Sequence, residues 1–267
     1  MNDNLLGTFA LEGRTAVITG AASGIGRETA RVLAEAGART VISDVNEAGL
    51  TETAELVAAA GIAPIVFAAN VAHRSEVEAL ADEAVRETGG IDIWVNVAGV
   101  IVSRPILEVD EDDVERLLAV NLKGAYWGCA AAGRVMRTAG AGSIINMSSG
   151  GGESAVPGLS IYSMTKAGLN MLTRSVAKEF GPLGIRANAI APGWVDTPMG
   201  LHSFRDETGA VSQARHDEAV RSRAQASPLG IAGTPRDIAL AVLYLASDAS
   251  RFMTGQILRP NGGVMMP

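Results

Sequence analysis

The stretch Arg14-Thr15-Ala16-Val17-Ile18-Thr19-Gly20-Ala21-Ala22-Ser23-Gly24-Ile25-Gly26 decides the fold. Its first six residues form a β-branched run that reads as a buried strand. Beyond Gly26, a helical pattern puts Thr29, Val32, Leu33 and Ala36 on one face, and Gly37 closes it as a C-cap. Strand, glycine loop and helix together make a phosphate cradle. Glycines let the backbone approach a diphosphate, and the helix offers that charge its free N–H groups and positive dipole end. The spacing is Gly-x-x-x-Gly-x-Gly, so Gly20, Gly24 and Gly26 are candidate contacts to a dinucleotide, with Ser23 and Ile25 between them. Glycines also make ordinary turns; the flanking strand and helix favour the cradle.

Outward from this loop, Thr40-Val41-Ile42-Ser43 reads as a second strand ending at Asp44, eighteen residues past Gly26. A carboxylate there can bind both hydroxyls of the adenosine ribose. It also repels a 2′-phosphate. No Arg or Lys lies in the loop or directly after Asp44, and Arg27 reads as solvent-facing, so the cofactor expected is NAD rather than NADP. The competing role for Asp44 is an N-cap for the helix starting near Asn46-Glu47.

The alternation repeats: helix 47–60, strand 63–68, helix 74–88 and strand 91–95. The acidic segment 108–116 opens a helix running past Asn121, and strand 143–147, helix 160–180, strand 186–191, helix 235–246 and strand 255–258 follow. Strands alternating with helices argue for an α/β fold, a three-layer doubly wound parallel sheet. No repeat or linker interrupts it, so residues 1–267 read as one domain. The exception is 198–233, polar and rich in arginine, which reads as a mobile lid placed after a strand end.

A second stretch carries the chemistry. Strand 143–147 delivers Ser148-Ser149 to the loop Gly150-Gly151-Gly152-Glu153-Ser154, and the next helix delivers Tyr162 and Lys166. Positions i and i+4 share a helix face, about 5–6 Å apart at Cβ. An ammonium beside a phenol favours phenolate and lowers a pKa that is ordinarily about 10. Such a Tyr can exchange a proton with an alcohol or carbonyl oxygen. The bland alternative is a surface Lys one turn from a half-buried Tyr.

Taken together, these motifs resemble the short-chain dehydrogenase/reductase family, over roughly residues 11–263. Thr19 through Gly26 is similar to its cofactor loop. Asn96-Val97-Ala98-Gly99 is similar to its Asn-Asn-Ala-Gly element, with Val97 replacing the second Asn. Val120-Asn121-Leu122 falls where the family has a catalytic Asn, and Tyr162-Ser163-Met164-Thr165-Lys166 matches its signature. The resemblance implies a Rossmann-fold oxidoreductase and selects Ser149 over Ser148 as the hydroxyl that meets the substrate oxygen. It implies that Tyr162 passes the proton and that Lys166 tunes the Tyr and holds the nicotinamide ribose. It implies that Asn121 holds a water linking Lys166 to solvent. It adds Asn70, Val71, Asn96, Ala98 and Gly99 to the cofactor contacts, and Pro192, Gly193, Val195 and Thr197 around the nicotinamide carboxamide. Gly151, Trp194 and Met199 join Ser149 and Tyr162 around the substrate. Asn70 stands where the family has Asp, and Pro260-Asn261-Gly262-Gly263 lacks the family's acidic residue.

Composition narrows the class. Among 267 residues, 48% are hydrophobic and the net charge is −7, with charges interspersed. No basic run suggests nucleic acid and no basic amphipathic segment suggests a membrane surface. Neither a signal peptide nor a membrane span is apparent, so a cytoplasmic protein is expected. The single cysteine, Cys129, excludes an intramolecular disulfide and reads as a small core residue. His73, His202 and His216 lack zinc-ligand spacing, so no metal is expected.

The leading reading is an NAD-dependent enzyme interconverting a small-molecule secondary alcohol and a ketone. A 3-oxoacyl thioester reductase and a non-catalytic NAD-binding sensor are the alternatives. The reductase usually takes NADPH, against Asp44, and a sensor tends to lose the catalytic set, which is complete here. Trp194 and Met199 suggest an apolar substrate wall, whereas Glu153 and Ser154 suggest a hydroxylated substrate. Family habit and apolar residues on the long helices (Leu117, Leu118, Tyr126, Trp127, Leu169, Met171, Leu172 and Phe180) lead to an expected homotetramer, with the apolar tail Val264-Met265-Met266-Pro267 at an interface.

Overall fold

A computed structural model of the chain describes residues 5–206 and 208–266. Pro267 of the expected interface tail therefore lies outside the described residues. Seven strands form one parallel sheet: β1 (Thr15–Thr19), β2 (Arg39–Asp44), β3 (Ile65–Ala68), β4 (Ile93–Asn96), β5 (Gly142–Met147), β6 (Ile185–Ile190) and β7 (Ile257–Leu258). Their order is β3-β2-β1-β4-β5-β6-β7. The order reverses between β1 and β4, which opens a crevice at the carboxyl ends of those strands, where such sheets take their ligands.

Among the described residues, eight α-helices complete the layers: α1 (Gly24–Glu35), α2 (Glu47–Ala58), α3 (Arg74–Thr88), α4 (Glu111–Leu117), α5 (Gly124–Ala139), α6 (Ser160–Phe180), α7 (Gln213–Ala226) and α8 (Pro235–Ala246). Side chains alternate along a strand, so neighbours in β1 face opposite layers. Ile18 packs with Leu33 of α1 and Val242 of α8 on one side. Val17 packs with Leu80 of α3, Met136 of α5 and Val176 of α6 on the other. Both faces are covered, which is why β1 is buried along its whole length.

Two features depart from the expected pattern. Between α4 and α5 the backbone forms a π-helical turn, Leu118–Lys123, so the helix expected from 108 onward is two helices joined by a wider turn. Within the α5–α6 layer, a polar chain crosses the core. The Trp94 indole Nε1 donates to Asn96 Oδ1 at 2.8 Å, and Asn96 Nδ2 donates to Asn146 Oδ1 at 2.8 Å. Asn146 Nδ2 donates in turn to Thr173 Oγ1 at 2.9 Å. Gly128 makes room for this chain: a Cβ there would come within 2.1 Å of Asn96 Oδ1. Cys129 lies against the same amides, and burial raises its thiol to about 12, as befits an inert core residue.

The apolar residues expected at an interface divide. Leu117 and Leu169 are buried within the chain, and Leu172, Trp127 and Phe180 pack against its core. Leu118 leans on the cluster around Tyr162. Tyr126 and Met171 stay exposed. The long helices thus spend most of that surface on their own sheet.

Candidate active site

The glycine loop fits a dinucleotide. Gly20 has φ +71°, and a Cβ on it would meet Ala98 N at 2.5 Å. A Cβ on Gly26 would meet Gly20 O at 2.0 Å, so the loop closes only with glycine at both places. Ser23 sits at the N-cap of α1, yet its side chain makes no capping bond. The corresponding residues of α2, α4, α7 and α8 (Asn46, Asp110, Ser212 and Thr234) do cap their helices. The first N–H groups of α1 thus lack a side-chain acceptor, and a diphosphate supplies the charge such an end favours.

At the end of β2, Asp44 faces this loop. Its Oδ2 accepts from Ala22 N at 3.1 Å and its Oδ1 from Asn46 N at 3.0 Å. Each oxygen keeps a further lone pair for a ribose hydroxyl. The helix-capping alternative does not hold, because Asn46 caps α2 by accepting from Gly49 N. Nor is Arg27 solvent-facing. It donates to Thr53 Oγ1, to the carbonyls of Ala22 and Gly49, and to Glu52. It is the strut that ties α1 to α2.

Three other expected cofactor residues are placed with part of their chemistry already used. Asn70 turns its Oδ1 back onto Ala72 N, leaving its amide nitrogen. Val71 is buried and packs on Gly124 of α5 with both its side chain and its carbonyl. The Asn96 side chain is spent inside the core, as described above. Ala98 and Gly99 continue the strand end beside Gly20 and Lys166.

Four side chains converge at the carboxyl edge of β4 and β5. Lys166 Nζ donates to the Met147 carbonyl at 2.8 Å and lies 5.6 Å from the Tyr162 ring centroid. Ser149 lies beside the Tyr162 phenol and favours its ionised form, and its Oγ accepts from Gly151 N at 3.1 Å. Ser148 instead donates to the Lys166 carbonyl, which leaves Ser149 as the hydroxyl at the site. Asn121 sits in the π turn and pairs with Val100 at both backbone groups, at 2.8 and 2.9 Å. Gly99 stands between: its Cβ position is 3.4 Å from Asn121 Oδ1 and 3.7 Å from Lys166 Nζ.

Electrostatics here run against the simple expectation. Burial pushes the Tyr162 phenol up, and the Ser149 hydroxyl only partly offsets it. The same burial lowers Lys166 to about 8. In this chain on its own, desolvation of both groups outweighs the ammonium's pull on the phenol.

The remaining expected residues frame the mouth of the site. Pro192 O accepts from Gly150 N, and Gly193 packs on Asn261. Asn261 accepts from Gly263 N and donates to Met265 O, so the Pro260–Gly263 departure builds the turn behind Gly193. The Met265 methyl fills the space over Gly150. Val195 bridges Gly233, and Thr197 packs on Gly24. The Trp194 indole donates to Gly200 O at 2.9 Å, and Met199 is partly exposed beside it. Glu153 is not free for a hydroxylated substrate: both its oxygens are held by Arg259, at 2.6 and 2.8 Å. That pair joins residues 106 apart and carries no local sequence signal.

Known proteins resemble this chain over nearly its whole length. The sequence family described as enoyl-(acyl carrier protein) reductase matches residues 20–265. The chain is 39% identical over 251 residues to cis-4-hydroxycyclohexanecarboxylate dehydrogenase of Sinomonas cyclohexanicum, covering 94% of this chain and 96% of that one. It is 33% identical to the 3-oxoacyl-(acyl-carrier-protein) reductase FabG of Thermotoga maritima, covering 96% and 99%. Among solved structures, a short-chain type dehydrogenase/reductase from Mycobacterium marinum matches with TM-score 0.89 at 30% identity, covering 99% of this chain and 100% of that one. The chain belongs to the short-chain dehydrogenase/reductase family of oxidoreductases.

Proposed function

We propose that this oxidoreductase is an NAD-dependent dehydrogenase of a secondary alcohol, one domain with residues 198–233 as its lid. The observation that carries the chemistry is the convergence of Ser149, Tyr162, Lys166 and Asn121 on one edge of the sheet. When bound, the nicotinamide supplies or accepts the hydride. Ser149 donates to the substrate oxygen and fixes it beside the phenol. Tyr162 takes the hydroxyl proton in oxidation and returns it in reduction. Lys166 holds positive charge near the phenolate, and Asn121 fixes the π turn and the Val100 backbone beside it.

Asp44 supports NAD, because Arg27, the cation just past the glycine loop, is committed elsewhere, and no Arg or Lys lies in the loop or directly after Asp44. The 3-oxoacyl reductase reading has a relative in its favour and Asp44 against it. A non-catalytic sensor has no missing catalytic group to support it. Trp194 and Met199, with Glu153 neutralised by Arg259, favour a substrate with an apolar body. The exposed Tyr126 and Met171 support burial in a homotetramer, and light scattering that gave a monomer mass at micromolar concentration would refute that assembly. No described helix is long and apolar enough to cross a membrane.

The test is an initial-rate panel of secondary alcohols with NAD and NADP. NAD should have the higher kcat/KM, and Asp44→Ala should narrow the gap. A wild-type preference for NADP sinks the cofactor assignment, and no turnover on any alcohol or ketone sinks the dehydrogenase reading.

A further inference from the structure

The 198–233 segment leaves the sheet after β6 and returns before α8. Its neck is narrow: Val195 bridges Gly233, and Asp196 N donates to Gly233 O at 2.9 Å. Inside the segment lies α7, whose only buried residue among those described is Ala219. Apolar packing therefore gives this helix little purchase. What reaches back to the neck is His216. Its Nε2 lies 3.1 and 3.0 Å from the two oxygens of Asp196. Its Nδ1 is sealed from solvent and faces Asp217 Oδ1 at 3.5 Å.

We propose that His216 is a positioning residue for the reaction, latching α7 through Asp196 to the neck that adjoins the cofactor loop. Asp196 immediately precedes Thr197, which packs on Gly24, so the latch fixes the lid relative to the glycine loop. A neutral imidazole could still donate from Nε2, but its Nδ1 lone pair would then face the Asp217 carboxylate. The imidazolium offers a proton to both acids. The charged groups around it are Asp196 from the neck and Asp217 from its own helix; Arg221 acts on Asp217, and Arg215 reaches Phe204 O.

The Asp196 hydrogen bond and charge, then Asp217, raise His216 above its ordinary 6.5. The latch is complete below that ordinary value and is lost as pH rises through the raised one. The lid should thus loosen on the alkaline side.

Hydrogen–deuterium exchange of peptides from 197–232, corrected for intrinsic exchange, reads the latch directly. In the wild type, α7 protection should fall severalfold between pH 6 and pH 8.5, while β6 and α6 peptides hold as internal controls. His216→Ala should be weakly protected at both pH values. His216→Arg, a permanent cation with the same reach toward Asp196, should be protected at both. In turnover, the wild-type KM for substrate should rise across the same pH interval and that of His216→Arg should not. If His216→Ala keeps wild-type protection, or His216→Arg keeps the wild-type pH response, the proposal is overturned. The exchange arm needs no activity, so it stands or falls apart from the dehydrogenase reading on which only the KM arm rests.

Discussion

The catalytic edge and the lid are held by opposite means. At the edge, β4, β5 and α6 are pinned by buried amides whose polar atoms find one another: Trp94, Asn96, Asn146 and Thr173. In the lid, α7 buries one alanine and is held by side chains in contact with water. Polar bonds inside a core are costly to leave unmade, whereas solvent-exposed ones are cheaply exchanged for water. The difference shows where this fold keeps geometry fixed and where it leaves movement cheap. Tyr162 and Lys166 ride on the fixed side, and Met199 and His216 on the other, with Trp194 bonded across to Gly200.

The largest expected effect tests the fixed side. Tyr162→Phe should lower turnover by at least about a hundredfold, within the range of general acid–base catalysis, with cofactor affinity little changed. Near-normal turnover would remove Tyr162 from the proton path. Next, Asn146→Ala should remove the bonds to Asn96 and Thr173, which keep Ala125 O and Leu169 O as partners, at about 0.5–1.5 kcal/mol for each bond lost. Denaturant unfolding measures this loss, and an unchanged midpoint would mean the chain is not holding the edge.

A third test uses pH. Burial lowers Lys166 from 10.5 to about 8, so between those values the unfolded chain binds a proton that the folded chain has released. Stability should then rise with pH across that window, relative to a Lys166→Met variant that cannot titrate there. Below about 8 the difference between the two proteins should be flat. A wild-type curve parallel to Lys166→Met throughout would show that Lys166 stays charged at its usual pH in the fold. Alcohol oxidation, which needs the phenolate, should also rise with pH, and the reverse reduction should fall. The smallest effect belongs to the contact between Trp194 and the lid. Trp194→Phe removes only the bond to Gly200 O, worth about 0.5–1.5 kcal/mol, and should raise KM without touching kcat. A large kcat loss would place Trp194 among the groups of the chemical step.

Most of this architecture was legible in the sequence because its signals are local. The glycine loop, the period of α1 and the Tyr162–Lys166 spacing each fit within one or two turns of chain. Helices 160–180 and 235–246 stand where the apolar period put them. What was not legible depends on partners far apart in sequence. Asn96 reads as a cofactor contact until Asn146, fifty residues on, is seen to hold its side chain. Arg27 reads as exposed until Thr53 and Glu52 close on it. Glu153 reads as a substrate ligand until Arg259 arrives from the far strand. The phenol's upward shift was equally hidden, since it comes from burial and not from neighbours at fixed spacing.

The π turn at Leu118–Lys123 bears on which genetic changes this protein can absorb. A π turn holds more residues than an α turn, and each residue of an α-helix advances the phase by about 100°. An in-frame deletion of one codon within 118–123 would let the segment relax to a plain α-helix with α4 and α5 in nearly the same phase, because the wide turn already absorbs the extra residue. Gly128 would still face Asn96, whereas Asn121, which the wide turn itself carries, would lose its place against Val100. Substitutions on the outer surface of α5 leave that phase alone. A one-residue deletion in this stretch should therefore spare the fold while costing the site its Asn121, whereas a deletion within α5 itself should turn the rest of that helix out of phase.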